Sequence, residues 1–546
     1  MPEDLPAGYY LRNFTYLLNF VIERHEETLT VAEKSFFTEF QALSLDAQRL
    51  YVRLCSRKGP LFRADKLTYE DISDTAMAVA ELVDEGFADR GADCDNEAIL
   101  ALCTRADLLC LCRQNETKSA SSLKKDQLLA VVAEAMVGLP LRAQLPFTVI
   151  QPRRLDELRV FRLLFFGNLH QDMTDFVLHE LGVAPFESYE IDHEARFFTD
   201  RTLLDETLAL YELSELSREI IDSGERETLL QLCASLPDRN PDLGHRYDRI
   251  VNRIARQLER YDCCVEAFEL YQRSSSTPAR ERSARLLRKM ELRETSIEIC
   301  QEVLRAPWDE AEYEFAVKFS RRILGKDHRF QSTLPSVESR VQTDELVLYP
   351  EKDCNVESLV CGWAEEQRFS AYYVENSLFP GLFGLAFWDI IFAPVRGAFF
   401  NPFQRGPSDL FQPTFVDARA ESIAERYAFI QDRENLASTV MKHYRSKHGL
   451  ANRFVHWEAL SEDLLDLAMF CIPVQHLTFV FERMMSDFRN NLSGFPDLIL
   501  FRDDTYQLVE VKGPGDRLQV NQQRWFRYFG EKNIPAIVTN VSYPPG

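Results

Sequence analysis

The stretch Gly494 to Gln519, GFPDLILFRDDTYQLVEVKGPGDRLQ, constrains the fold more tightly than any other part of the chain. FPDLILF reads as a strand, RDDT as a turn and YQLVEVK as a second strand, rich in branched and aromatic residues. GPG stops that strand, DRLQVNQQRWFRYFGE has helical spacing, and IPAIVTNV reads as a last strand. The order β-β-α-β requires a mixed α/β domain, which we place at residues 346–546.

Three charges interrupt those apolar strands. Alternation puts Glu510 and Lys512 on one face of the second strand, with Val509 and Val511 on the other. Asp497 heads the first strand, and pairing the two as a hairpin carries it towards Glu510 and Lys512. Two carboxylates on adjacent strands offer hard oxygen ligands that suit Mg²⁺ or Mn²⁺, one ion or two. An ammonium beside them orients a water and steadies charge building on a phosphate. A surface salt bridge on a hairpin is the plainer alternative for the same three residues.

The rest of the chain is helical in pattern. Residues 1–95 carry amphipathic spacing, and Arg49, Arg53, Arg57, Lys58, Arg63 and Lys66 stand against the single acid Asp65 between positions 49 and 66. This reverses the local sign in a 546-residue chain of formal net charge −23. It is a solvated helix face or a surface that contacts phosphates. Residues 96–140 read as helix, polar loop, helix, with Lys118, Lys124 and Lys125 in or beside the loop. That short unit resembles the SAP module, a small DNA-binding fold. Residues 141–345 are helix-periodic and look like paired tetratricopeptide-type helices, without that repeat's full consensus at a fixed period. Within them, GHRYDRIVNRIARQLERY spaces Arg246, Arg249, Arg253, Arg256 and Arg260 along one face, while Ile250, Val251, Ile254 and Leu258 occupy another. Eleven Lys/Arg against six Asp/Glu from His245 to Met290 leave too few acids to pair every arginine, so the stripe points to phosphate binding or to a salt-bridged face.

Several classes are disfavoured. Hydrophobic residues at 45% and charged residues at 27% describe an ordinary globular composition. The net charge of −23 argues against wrapping nucleic acid broadly, although clustering of the basic residues matters more. The 12 cysteines are scattered without a CxxC pair, which signals neither a zinc ribbon nor a redox motif and suits free thiols in a reducing interior. The start, MPEDLPAGYYLRNF, lacks a secretory pattern, and no apolar run reaches the roughly 18 residues of a membrane span. GLFGLAFWDIIFAP, the most apolar segment, reads as a core helix. An intracellular, soluble protein with no membrane partner is expected.

Pro496-Asp497 followed by Glu510-Val511-Lys512 is the PD-(D/E)xK pattern, and in this strand–turn–strand–helix setting it resembles the restriction-endonuclease-like nucleases. With GPGDRLQ and Gln522-x-x-Trp525 it resembles the VRR-NUC branch of that superfamily, and AFWDIIFAPVRGAFFNPFQ resembles its companion segment. YYLRNF, LSLDAQRLYVRLCSRK and KLTYEDI are similar to the Fanconi-associated nuclease and its bacterial relatives. The resemblance implies a winged-helix-like region, a SAP-like module, helical repeats and a nuclease domain in that order. It adds Glu375, in the helix before LFGLAFWDIIF, as a further metal ligand. It also implies a metal contact from the Val511 carbonyl and a role for Gln522 in steadying Lys512 or the phosphate. Nothing matches the ubiquitin-binding zinc finger of the eukaryotic enzyme, which suggests a bacterial, cytoplasmic and nucleoid-associated protein.

The implied activity is cleavage of phosphodiesters near 5′ ends or 5′ flaps of branched DNA, in interstrand crosslink repair. Asp497, Glu510 and Glu375 would hold the metal and Lys512 would place the water. The N-terminal basic residues, Lys124, Lys125, Arg517 and the arginine stripe would hold backbone phosphates, which position without reading sequence. Two other readings stay open: a four-way-junction resolvase, and a helical scaffold carrying a catalytically dead nuclease fold.

Overall fold

The computed structural model describes residues 8–57, 59–90, 96–115, 123–136, 141–171, 185–191, 193–324, 334, 341–350 and 354–544. Lys58 and Lys118 lie outside the described residues. The chain divides into two compact units, one made of 1–186, 190–199 and 399–403, the other of 187–189, 200–398 and 404–546.

The first unit opens with the helices Tyr9–His25, Val31–Ala42 and Leu45–Ser56. Their starts are local chemistry. Thr30 and Glu33 form a reciprocal capping box, and the Ser44 hydroxyl accepts the Ala47 N–H. The inward faces bury Phe14, Phe36, Phe40, Leu50 and Tyr51, and Phe87 stacks edge-on against Tyr51 at 5.1 Å between ring centres. A small antiparallel sheet follows: β1 (Phe62–Arg63), β2 (Ala88–Asp89) and β3 (Val149–Pro152), in the order β1-β3-β2. With the helix Thr75–Asp84 between β1 and β2, these elements make a helix-turn-helix-like region that runs past the expected limit of residue 95. The central strand comes from beyond residue 140, so the helices Asn96–Ala101, Arg105–Gln114 and Lys125–Ala135 are an insertion between β2 and β3. They bury a core that includes Ile99, Leu108, Leu111, Leu128 and Val132 and is shared with Leu61 and with Val149 of β3.

In the second unit the helices Arg201–Ser223, Arg226–Ala234, Gly244–Arg260, Cys264–Gln272, Ala279–Lys289, Arg293–Arg305 and Glu310–Ile323 each pack on the next. Ile250, Val251, Ile254 and Leu258 are buried, as the apolar stripe demands. A five-stranded sheet then uses β4 (Thr343–Val347), β5 (Ser370–Tyr373), β6 (Leu498–Arg502), β7 (Thr505–Lys512) and β8 (Ala536–Ser542), in the order β4-β8-β7-β6-β5. β4 and β7 run parallel to β8, while β5–β6 and β6–β7 are antiparallel. Val509, Val511, Leu498, Leu500, Ile537 and Val541 share a core with Val360 and Ala364 of the helix Val356–Glu366. β4 is mostly exposed, an edge strand whose sequence TDELV lacks the apolar alternation that would reveal it.

Two local expectations are corrected. GLFGLAFWDIIFAP is not one helix but two, Leu378–Ala386 and Trp388–Ile391; every residue of both is buried except Asp389, which pairs with Arg426 at 2.6 Å. The helix after GPG starts at Val520 and not at Asp516. Asp516 accepts the Gly513 N–H and closes a turn there, and the Gln519 N–H is taken by the Gln522 side chain, which fixes the helix start. Among the described residues no single helix is long and apolar enough to cross a membrane. The described cysteines are free.

Candidate active site

β6 and β7 pair Leu498 with Val509 across a two-residue turn, Asp503–Asp504. That register sets Asp497, one residue before β6, opposite Glu510, and leaves Glu510 and Lys512 on the same face of β7. Glu510 is wholly buried and Asp497 is 8% exposed. The Lys512 ammonium lies 2.6 Å from Glu510 Oε1, and the Gln522 amide donates to the same oxygen at 2.6 Å. Expected beside Lys512 or the phosphate, Gln522 thus shares an acceptor with Lys512. Its amide is oriented by the helix start, because its oxygen is occupied by the Gln519 N–H at 2.8 Å. Asp497 Oδ2 accepts the Val511 N–H at 2.8 Å, which ties the two strands at the acidic pair.

Glu510 Oε2 is buried without a hydrogen-bond partner. An unpartnered carboxylate oxygen is costly in a protein interior unless a cation or a proton meets it. The electrostatics agree. Burial pushes Glu510 up to about 7, assisted by the charge of Asp497 and opposed by Lys512. Burial likewise lifts Asp497 to about 6, with the charges of Glu375 and Glu357 adding to the rise and the Val511 N–H and Lys512 opposing it. Two buried acids held against their own solvation suit a divalent cation, which would relieve both.

Glu375 does not lie in a helix. It sits in the turn between β5 and the helix Leu378–Ala386, where Asn376 takes a positive φ of 51°. Strand pairing explains its approach, since the Val374 N–H donates to the Asp497 carbonyl at 2.8 Å. The exposed Glu375 carboxylate accepts the Tyr373 hydroxyl and, at 3.1 Å, the Asn376 amide. Among the described residues no three His, Cys, Asp or Glu side chains already close into a ligand shell. The groups that fit a cation are the acidic pair, with Glu375 charged nearby. Glu357 was missed by sequence reasoning: it stands on the helix Val356–Glu366, three residues before buried Val360, and no local sequence pattern marks it. Tyr373 was missed too.

Gly494 holds this site together. Its φ is +92°, and a Cβ there would come within 2.8 Å of Asn521 and 2.9 Å of the Gln522 nitrogen. The loop before Asp497 is therefore packed directly on the helix start that aims Gln522.

The arginine stripe divides. Arg246 meets the Tyr211 hydroxyl, Arg249 meets His245 at 2.8 Å, and Arg253 meets Ser214 and Ser217. Arg256 pairs with Glu259 at 3.1 Å, and Arg260 meets Gln257. Burial, then the charges of Arg246, Arg489 and Arg218, pull Arg249 below the usual guanidinium range; burial, Arg218 and Arg249 do the same to Arg253. Burial and the cations Arg249 and Arg489 hold His245 down to about 4. Arg218, Arg489 and His245 escaped the sequence reading because they join the stripe from other elements or carry no charge there. Such a concentration of cations favours an anion.

In the first unit, several basic residues are compensated inside the fold. Arg53 pairs with Asp71 at 2.8 Å, Arg63 lies between Asp65 and Asp107 against the Phe147 ring, and Arg49 donates to the Asp71 carbonyl at 2.6 Å. Arg57 donates to the Tyr69 hydroxyl at 2.9 Å. Lys66, Lys124 and Lys125 are exposed, and so is Arg517 in the second unit, in the loop after β7.

Comparison with known proteins follows the same geography. Residues 432–543 match the VRR-NUC domain family, and residues 8–89 match the family described as FAN1, HTH domain. The chain is 34% identical over 559 residues to a Fanconi-associated nuclease 1 homolog of Pseudomonas aeruginosa, covering 100% of this chain and 98% of that protein. It is 27% identical over 608 residues to the Arabidopsis thaliana homolog and 26% identical over 637 residues to human Fanconi-associated nuclease 1, spanning 67% and 62% of those longer proteins. A crystal structure of paFAN1 bound to DNA with a 2-nucleotide 5′ flap and a gap superposes with a TM-score of 0.83 at 34% identity, covering 100% of both chains. The same protein on a 1-nucleotide flap gives 0.81, covering 98% of this chain and 99% of that one.

Proposed function

The chain belongs to the Fanconi-associated nuclease family, and on that premise we propose that it is a structure-specific nuclease that cuts phosphodiesters near the 5′ end or 5′ flap of branched DNA, in interstrand crosslink repair. The observation that carries this reading is the buried pair Asp497 and Glu510 with Lys512 on Glu510 and one Glu510 oxygen left without a partner. We place the protein in the cytoplasm at the nucleoid. We assign 1–95, completed by β3 (Val149–Pro152), to a DNA-binding winged-helix-like region, 96–140 to a SAP-like insertion, the helices from Arg201 to Ile323 to helical repeats, and the part from β4 onward to the nuclease.

Asp497, Glu510, the Val511 carbonyl and Glu375 would hold Mg²⁺ or Mn²⁺, one ion or two, which would supply phosphate charge neutralisation and an acidified water. The chain's own groups do the rest. Lys512, fixed on Glu510 Oε1, holds an ammonium where negative charge builds on the phosphate. Gln522 shares that oxygen and so fixes which Glu510 atom stays open. Asp497 is immobilised by the Val511 N–H, which keeps the two carboxylates in one register.

The arginine cluster of Arg246, Arg249 and Arg253 would take the phosphate of the flap or 5′ end. Lys66, Lys124 and Lys125 would take backbone phosphates of duplex arms, and Arg517 those near the cleaved bond. Selectivity would come from DNA shape and bending at the branch. A Mn²⁺-dependent cleavage assay tests this on 5′-labelled flap, four-way junction and blunt duplex. The flap should be cut fastest, on one strand near its 5′ end. Symmetric paired cuts in the four-way junction with an intact flap would instead establish a resolvase, and no cutting of any substrate a scaffold.

A further inference from the structure

The helix Glu310–Ile323 ends the run of repeat helices, and of its three glutamates Glu310 and Glu314 lie one turn apart on the same face. Both reach the nuclease sheet's catalytic helix, Val520–Glu531, directly or through one arginine. Glu314 is 5% exposed and accepts from Arg527 at 2.6 Å and Arg524 at 3.3 Å. Glu310 receives Arg483, whose guanidinium lies over the rings of Trp525 at 4.9 Å and Tyr528 at 4.6 Å. Arg524, Trp525, Arg527 and Tyr528 share that helix with Gln522, the residue on Glu510 Oε1. Trp525 is fully buried and packs on Phe495 at 4.2 Å between ring centres, two residues before Asp497.

We propose that Glu314 is a positioning residue for cleavage: by clamping Arg524 and Arg527 it sets the rotation of the catalytic helix and so keeps Gln522 on Glu510. The argument is mechanical. The apolar packing of Trp525, Phe526 and Phe529 holds the helix on the sheet but tolerates small rotations, whereas two guanidinium groups three residues apart on one buried carboxylate fix the angle itself. Gln522 lies two residues before Arg524, so a turn that releases the clamp withdraws the amide from Glu510. The Glu310–Arg483–Trp525 contacts brace the same helix against the Phe495 loop, which delivers Asp497. The repeat helices thereby set the geometry of the acidic pair without touching it.

This role rests on the proposed nuclease reading. The test is Glu314→Gln, which keeps the shape and removes the charge, combined with Gln522→Ala in a double-mutant cycle on single-turnover flap cleavage. The expected result is a loss of about tenfold in the single-turnover rate for each single variant, flap Kd within about twofold of the parent, and a double variant no slower than the slower single one. Glu314→Asp, with the charge kept on a shorter arm, should recover part of the rate. Parent-rate cleavage by Glu314→Gln, or losses that multiply in the double variant, would overturn the role while leaving the nuclease reading intact. Unfolding of both Glu314→Gln and Glu314→Asp would mark a pillar of the fold and also overturn it. A parent protein that cuts no DNA would sink both readings together.

Discussion

At the residue scale, the charge states of two acids govern the site. Asp497 and Glu510 are raised to about 6 and about 7, from ordinary values of 3.8 and 4.5. Because the folded state holds these protons more tightly than the unfolded chain, the stability they supply is full in acid and drains away as pH climbs from about 4 to about 7. A divalent cation competes for the same oxygens and needs them ionised, so its affinity should rise over that window. Thermal melts with and without Mn²⁺ at about pH 5.5 and about pH 8 check this: the ion should raise Tm more at the higher pH. An equal rise at both would contradict the assignment. The three charged residues were legible because alternation and the turn fixed their faces from the sequence alone. Glu357 and Tyr373 were not, since their approach depends on which helix and strand flank the hairpin, and that is set by packing at long range.

At the element scale, the β-β-α-β order was readable, while the helix start and the edge strand were not. The residues before Val520 look helical by composition, yet Asp516 and Gln522 offer the backbone competing hydrogen bonds that local propensity ignores. β4 is polar and exposed, so only its pairing with β8 makes it a strand. Glu375 was placed in a helix on the family resemblance, whereas Asn376 turns the chain before the helix begins. Gly494 joins these elements. Gly494→Ala should cost about 1–3 kcal/mol, from the strained backbone and the collision with Asn521. Denaturant unfolding would read the loss, and cleavage should fall with it as Gln522 is displaced. A variant of parent stability and rate would show that the loop can give way.

At the scale of the whole molecule, a chain of net charge −23 meets polyanionic DNA with concentrated, not average, positive charge. The helical spacing found the arginine stripe. It could not find Arg218 and Arg489, which are brought to it from sequence-distant helices, nor foresee that Arg53 and Arg63 are consumed by Asp71, Asp65 and Asp107. The insertion between β2 and β3 was hidden for a related reason: a strand of four residues carries no periodic signal until its partners are known. The central claim is that Asp497, Glu510 and Lys512 form one site that cuts DNA without being needed to hold it. The most direct measurement follows Mn²⁺-dependent cleavage and binding of one 5′-flap substrate by the parent, Asp497→Ala and Lys512→Ala. The account predicts that both variants lose cleavage by at least about a thousandfold while their flap Kd stays within about threefold of the parent. Either variant cutting at the parent rate would contradict it.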